Sequence, residues 1–399
     1  MLLGVKLPTL YAYVSRGLVR SVSADEGRTR QYLRREVEEL RRRRVPRPGQ
    51  RPAAAGALRF GEPVLDSSIT SMDESGPSYR GRSAVKLAED DVAFEAIAEL
   101  LWTGELPEAP PEWGRHRLGP PAKSLAALLP EGATVLDALA LLLAALAARD
   151  HGRFGRSLDA VLPRARTLCL RFAAALALPF EPARAATALA AGSVARAVVV
   201  AVGARPERDV VRIVNRALVL CADHELNVST FAARVAASAG ADLYASLSAA
   251  LAALSGPIHG GMLERIEAVA AEVGKPERAA RVVHERYRRG ESVPGFFHPL
   301  YPNGDPRAPL LLDAARRLSG KSPRAQSILA LVDTMRESGH GAPTIDVALA
   351  ALAAALGLPS GSAVGLFAVG RSAGWAAHVL EQYAAGFLIR PRARYVPPR

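Results

Sequence analysis

The chain has little cysteine, few aromatic residues and no long unbroken apolar run. Each lack excludes something. The two cysteines, Cys169 and Cys221, sit in apolar, helix-like segments without metal-ligand spacing, so neither a disulfide framework nor a zinc site is expected and both read as buried thiols. Aromatics make up 6% of the chain. Alternating Val/Ile/Thr runs are scarce, so little sheet is expected. The most apolar run, 135–148, contains Asp137 and falls short of the roughly 20 residues of a bilayer span. It reads as a buried core helix, and no membrane partner is expected. The N-terminus lacks a basic-then-apolar signal with a cleavage site, which points to a cytoplasmic protein. No GxGxxG follows a strand and no phosphate-binding P-loop occurs. Gly361, Gly365 and Gly370 have neither the strand nor the spacing, and close helix packing explains them better.

What is present is apolar and basic. Hydrophobic residues make up 49% of 399, enough for a large core, and abundant Ala and Leu favour helix. The net charge of +12 is uneven: residues 1–52 carry 13 Lys and Arg against 5 Asp and Glu. A polyanion partner would be met there. Residues 1–44 read as a short helix from Pro8 to Arg16 stopped by Gly17, a basic strand from Arg28 to Leu33, and a charged helix from Arg34 to Arg44. Leu3-Gly4-Val5, Thr9-Leu10-Tyr11, Arg16-Gly17-Leu18 and Arg28-Thr29-Arg30-Gln31-Tyr32 resemble the winged helix-turn-helix of MerR-type regulators, in a form that looks truncated before Gly4. The resemblance implies DNA contact through 1–44, with the Thr9–Arg16 helix in the major groove and Arg28 and Arg30 on phosphates. Residues 45–56, rich in Pro, Arg, Gly and Ala, form a linker.

Residues 57–399 read as an all-α domain of many packed helices. Phe94 to Pro107 is an amphipathic helix with a glycine stop and a following proline. From Ser124 to Ala253 the helical pattern is nearly unbroken. Then three of the eight histidines appear in polar or Gly/Pro-marked settings: Asp223-His224-Glu225-Leu226-Asn227, Gly256-Pro257-Ile258-His259-Gly260-Gly261 and Pro294-Gly295-Phe296-Phe297-His298-Pro299. Taken alone, His224 reads as structural. His259 reads equally as a helix-connecting turn or as a site whose glycines free amide donors. His298, with Asp305-Pro306-Arg307 close behind, reads as a surface loop or an anion site. Asp346 opens an apolar helix running to Leu356, where an acid also suits the helix dipole. Arg371, in Gly370-Arg371-Ser372-Ala373-Gly374-Trp375, and Arg390, in Arg390-Pro391-Arg392, are carboxylate-binding forks or surface charges.

Taken in order, these segments resemble the citrate synthase family over about residues 60–396, with Tyr79-Arg80-Gly81 and Gly104-Glu105-Leu106-Pro107 matching its N-terminal half. The resemblance implies a two-domain helical fold, a large and a small domain closing over substrate. It also implies condensation of acetyl-CoA, a co-substrate, with oxaloacetate, and no permanently bound cofactor or metal. Asp346 would take the acetyl α-proton, His259 would hydrogen-bond the thioester oxygen, and His298 would polarise and protonate the oxaloacetate carbonyl. His224, Arg307 and Arg371 would hold carboxylates, and Arg390 would cross into the other subunit of a homodimer. A 2-methylcitrate synthase using propionyl-CoA, or a regulator whose synthase-like domain senses metabolites, are the alternatives. There are three departures from the family: Met262-Leu263 after the paired glycines, which would alter packing near the site; Phe297 where the family has glycine, which would narrow the acyl or CoA approach; and Pro299-Leu300-Tyr301-Pro302 where it has a basic residue that helps hold the CoA phosphate.

Overall fold

The computed structural model describes residues 21–23, 30–32, 65–114, 116–320, 322–393 and 395. The chain divides into two compact units, Met1–Asp66 and Ser67–Arg399. In the first, β1 (Ser21–Ser23) pairs antiparallel with β2 (Arg30–Tyr32), Ser21 opposite Tyr32. β2 falls within the basic strand expected at 28–33. The helices expected in 1–44, and the linker at 45–56, lie outside the described residues.

The second unit opens with a small antiparallel sheet: β3 (Thr70–Asp73), β4 (Gly76–Tyr79) and β5 (Arg82–Ser83). Asp73 closes the β3–β4 turn by accepting the Ser75 amide at 2.8 Å. Gly76 is required there: its φ is +107°, and a Cβ would lie 2.9 Å from Pro306. The hairpin tip is thereby pressed against the segment that carries Arg307.

Sixteen α-helices follow among the described residues: α1 (Ala84–Glu89), α2 (Phe94–Thr103), α3 (Ala122–Ala126), α4 (Val135–Ala147), α5 (Leu158–Ala175), α6 (Arg184–Leu189), α7 (Val194–Ala201), α8 (Arg208–Cys221), α9 (Val228–Ser238), α10 (Leu243–Leu254), α11 (Gly261–Val273), α12 (Ala279–Arg288), α13 (Ala308–Leu318), α14 (Pro323–Glu337), α15 (Ile345–Ala355) and α16 (Ser362–Ala385). Their ends follow local chemistry. α2 stops where Gly104 adopts the left-handed conformation at φ +86°, as its sequence predicts. A Thr134–Asp137 capping box starts α4, the run read as a core helix. No helix among the described residues is long and apolar enough to cross a membrane. Both cysteines are buried, and burial pushes each thiol up to about 12.

The spine is α16. Its 24 residues span roughly 36 Å, and it packs against α2, α4, α5, α8, α9, α10, α11 and α15. A helix so enclosed needs small residues at the crossings. A Cβ on Gly365 would meet Leu176 at 2.8 Å, one on Gly370 the Leu218 carbonyl at 2.8 Å, and one on Gly374 the Asp223 carboxylate at 2.3 Å. Gly361 differs from the packing expected of it. It caps the helix at φ +81° with nothing near its missing Cβ, and serves the turn instead.

Candidate functional site

Three connections, two helix starts, the middle of α16 and the segment after it carry the predicted site residues. The first connection, between α8 and α9, presents His224. Its backbone is pinned from several sides. Tyr79 Oη donates to the Val219 carbonyl at 2.9 Å and receives the Asp223 amide at 3.3 Å. The Gly374 amide reaches out of α16 to the Ala222 carbonyl at 3.0 Å, and Arg371 Nε donates to the Cys221 carbonyl at 2.8 Å. The Asp223 carboxylate meets His378 Nε2 at 3.2 Å, both side chains fully buried. Glu225, a non-glycine at φ +54°, is held in the left-handed region, a strain that such tethering makes tolerable.

The second connection presents His298. Gly295 sits at φ +84°, where a Cβ would lie 2.5 Å from Val347 of α15 and 2.8 Å from Ile266 of α11. The Thr344 amide donates to the Gly295 carbonyl at 2.9 Å. The His298 loop is thus fastened to the start of the helix that bears Asp346. The Leu300 amide donates to His298 Nδ1 at 3.2 Å. A neutral His298 therefore carries its proton on Nε2, which makes that nitrogen a donor.

Asp305 ties this loop to both remaining elements. Its carboxylate holds Arg307 in a two-point pair at 2.9 and 2.8 Å and accepts the Ile345 amide at the start of α15 at 3.0 Å. Burial works to raise the Asp305 carboxyl, but Arg307 outweighs it and holds it below the usual carboxylate range. Asp346 is half-buried, one residue into α15, and accepts from Thr344 Oγ1 at 3.2 Å. Burial raises its carboxyl against the pull of Arg307.

The third connection presents His259, whose Nε2 lies 2.9 Å from Ser229 Oγ at the start of α9. Ser229 is contested. It lies 3.2 Å from Trp375 Nε1, which can only donate, and 2.8 Å from Asn227 Oδ1, which can only accept. Its single proton goes either to Asn227 or to His259. In the second case the His259 proton sits on Nδ1. Phe367 joins this corner to Arg371: the His259 and Phe367 rings meet edge-on at 5.8 Å, and the Arg371 guanidinium lies 4.7 Å from the Phe367 centroid.

The electrostatics agree across the group. Burial, then Arg307 and Arg371, hold His224 well below its ordinary value. Burial, then Arg307, lower His298. Burial, then Arg371, lower His259 to about 4. All three rings are neutral at neutral pH. Arg371 is fully buried, and its Nη1 makes no hydrogen bond within the chain. An unsatisfied buried donor is costly, so an acceptor brought to Nη1 would lower that cost.

The structure therefore ties Arg307 and the start of the Asp346 helix to Asp305, sets the His224 and His298 rings edge to face at 5.4 Å, and brings His259 and Arg371 together around Phe367. Arg390 stands apart, exposed beyond the end of α16. Phe297, next to His298, is 75% exposed. Sequence reading missed Ser229, Trp375 and Tyr301, and gave Asp305 no role. Serine two residues after Asn227, and tyrosine three after His298, were the available signals. Among the described residues no His, Cys, Asp and Glu cluster is arranged to hold a metal ion. A surface cavity of about 730 Å³ near Glu99, Trp113 and Arg166 contains none of the predicted site residues.

Residues 59–392 match the family model for the citrate synthase C-terminal domain. The chain is 32% identical to citrate synthase of Mycolicibacterium smegmatis over 83% of its own length and 92% of that protein's. It is 30% identical to 2-methylcitrate synthase 2 of Corynebacterium glutamicum over 80% and 88%. A 199-residue stretch is 38% identical to citrate synthase 2 of Bacillus subtilis, covering 49% of this chain and 54% of that one. Among solved structures, the ternary complex of Thermoplasma acidophilum citrate synthase with carboxymethyl coenzyme A and oxaloacetate is 27% identical, with a TM-score of 0.74 over 84% of this chain and 94% of that one. Family match, full-length relatives and helical architecture coincide over the residues that build the site, and the chain belongs to the citrate synthase family.

Proposed function

We propose that the protein condenses an acyl-CoA with oxaloacetate, acetyl-CoA giving citrate and free CoA. The observation that carries this is the grouping of a burial-raised carboxyl, Asp346, with a neutral histidine donor, His298, and buried arginines. A thioester α-proton is far too weak an acid for a carboxylate in water. A desolvated Asp346, with its basicity raised, is the group suited to remove it. His259 stabilises the enol oxygen when Ser229 donates to its Nε2 and its Nδ1–H faces the thioester; such a donor is typically worth about 3–4 kcal/mol. The enol carbon then attacks the oxaloacetate carbonyl carbon, and His298 Nε2 delivers a proton to the carbonyl oxygen. Water hydrolyses the resulting thioester and releases CoA. His224, Arg307 and the unsatisfied Nη1 of Arg371 meet the carboxylates. Closure of a large and a small domain excludes water before condensation. The active unit is a homodimer, with Arg390 reaching the partner's site.

Propionyl-CoA is the second reading, since relatives named as citrate and 2-methylcitrate synthases match at nearly equal identity. The test is CoA release with oxaloacetate plus either thioester. Release is expected from the wild type and a loss of at least about 100-fold from Asp346→Ala. No release with either thioester overturns the proposal, and the ratio of the two rates identifies the acyl group.

A further inference from the structure

Tyr301 touches three of the residues assigned to oxaloacetate. Its side chain is buried, 3% exposed. Its hydroxyl lies 2.9 Å from His224 Nε2. Its ring stacks on His298 with centroids 5.0 Å apart and planes 29° apart. The Arg307 guanidinium lies 5.8 Å from the ring centroid. The backbone completes the arrangement: the Tyr301 amide donates to the His298 carbonyl at 2.9 Å, and its own carbonyl receives the Gly304 amide at 3.0 Å.

Core filling alone does not account for this. A leucine or phenylalanine would fill the space, whereas a buried hydroxyl is tolerated only with a partner. Burial pushes the phenol above its ordinary range, so it stays neutral and keeps one proton to share with the imidazole. The same ring face restricts how His298 can turn, and the π system attracts the Arg307 cation. The three groups come from different places: His224 from the α8–α9 connection, His298 from its own loop, and Arg307 from the start of α13. The Tyr301 side chain contacts all three.

We propose that Tyr301 is a positioning residue that sets His224, His298 and Arg307 in register, so that the substrate's carbonyl and its carboxylates are met together. The proposal rests on the oxaloacetate reading above.

Two variants separate its parts. Tyr301→Phe removes the bond to His224 and keeps the stack. The oxaloacetate concentration at half-saturation is expected to rise about five- to tenfold, with kcat within about twofold. Tyr301→Leu also removes the ring, and kcat is expected to fall at least about tenfold further as His298 loses its orientation. A readout independent of turnover is the ¹⁵N resonance of His224 Nε2 in the substrate-free protein. It should shift in Tyr301→Phe while that of His298 Nδ1 stays in place. Tyr301→Phe matching the wild type in both half-saturation and the His224 resonance overturns the proposal. If Tyr301→Leu does not fold, the phenylalanine variant decides alone. If the wild type releases no CoA with either thioester, the catalytic reading fails instead, and the His224 resonance still decides whether Tyr301 positions that ring.

Discussion

A single imidazole shows how much of the site is set by its surroundings. His259 lies on a Gly/Pro-marked turn, and its spacing made it a candidate. Its protonation is decided by burial and by Arg371, both of which are products of the fold. Burial holds it at about 4, against about 6.5 in an unfolded chain. The unfolded chain therefore takes up a proton as pH falls through about 6.5, while the folded protein declines it until about 4. Stability from this group is complete above about pH 6.5 and is lost as pH drops toward 4. His224, lowered in the same direction, adds to the loss. The urea midpoint of the wild type should fall between pH 7 and pH 4.5, and the fall should be shallower in His259→Gln. Equal slopes in the two proteins would show that His259 does not titrate in this way. Gly, Pro and charged neighbours marked the candidate residues, but each was ambiguous alone and only their order along the chain, through the family resemblance, assigned them roles. Ser229 and Trp375 were not legible in this way. Their importance lies in a 2.9 Å and a 3.2 Å approach between segments 30 and 146 residues apart, and one-dimensional spacing carries no such information.

Individual elements were legible where one residue type controls an end. α2 ends at Gly104 and α15 begins at Ile345 because a left-handed glycine and an acidic first turn are local signals. The long helical stretch before residue 253 hid several breaks, and at the α8–α9 connection that carries His224 the only local signal is an acidic-polar step. Tertiary tethers rather than Gly or Pro hold that break open. Two variants probe the tethers. Asp305→Ala strips Arg307 of its buried partner and the Ile345 amide of its acceptor. The unfolding free energy measured in urea should drop by roughly 3–5 kcal/mol, the usual consequence of stranding a buried charge. A loss below about 1 kcal/mol would mean that Arg307 finds another partner and that Asp305 does not organise the site. Gly374→Ala tests the crossing of α16 over the His224 connection. The new methyl group would lie 2.3 Å from the Asp223 carboxylate and 2.4 Å from the Ala222 carbonyl. The Ala222 carbonyl is backbone and cannot retreat without moving the connection that presents His224. Destabilisation of about 1–3 kcal/mol is expected, together with weaker oxaloacetate binding by calorimetry. Gly361→Ala, with open space at its Cβ but a strained φ, should destabilise without altering that binding.

At the scale of the whole molecule, the site assembled within one chain lacks one of its expected arginines. Arg390 is exposed, beyond the end of α16 and apart from the residues gathered around Asp305 and Phe367. In a twofold dimer a contact from residue i to the partner's residue j is repeated from j to the partner's i, so one arginine can complete each site from across the interface. This arrangement predicts complementation. Arg390→Ala alone and Asp346→Ala alone should each be nearly inactive. After mixing under conditions that exchange subunits, about half of the dimers carry one copy of each. In such a dimer one site has its own Asp346 and the partner's Arg390, while the other lacks both. Activity should return to about a quarter of the wild-type value, because one site in two is intact in half of the dimers. If Arg390 instead served its own subunit, no mixed dimer would contain an intact site, and mixing would restore nothing. The same measurement, repeated with acetyl-CoA and propionyl-CoA, would show whether the crossing arginine acts on oxaloacetate alone or also on the choice of thioester. A restored fraction that is equal for both thioesters is the outcome expected of a group that binds only the shared dicarboxylate.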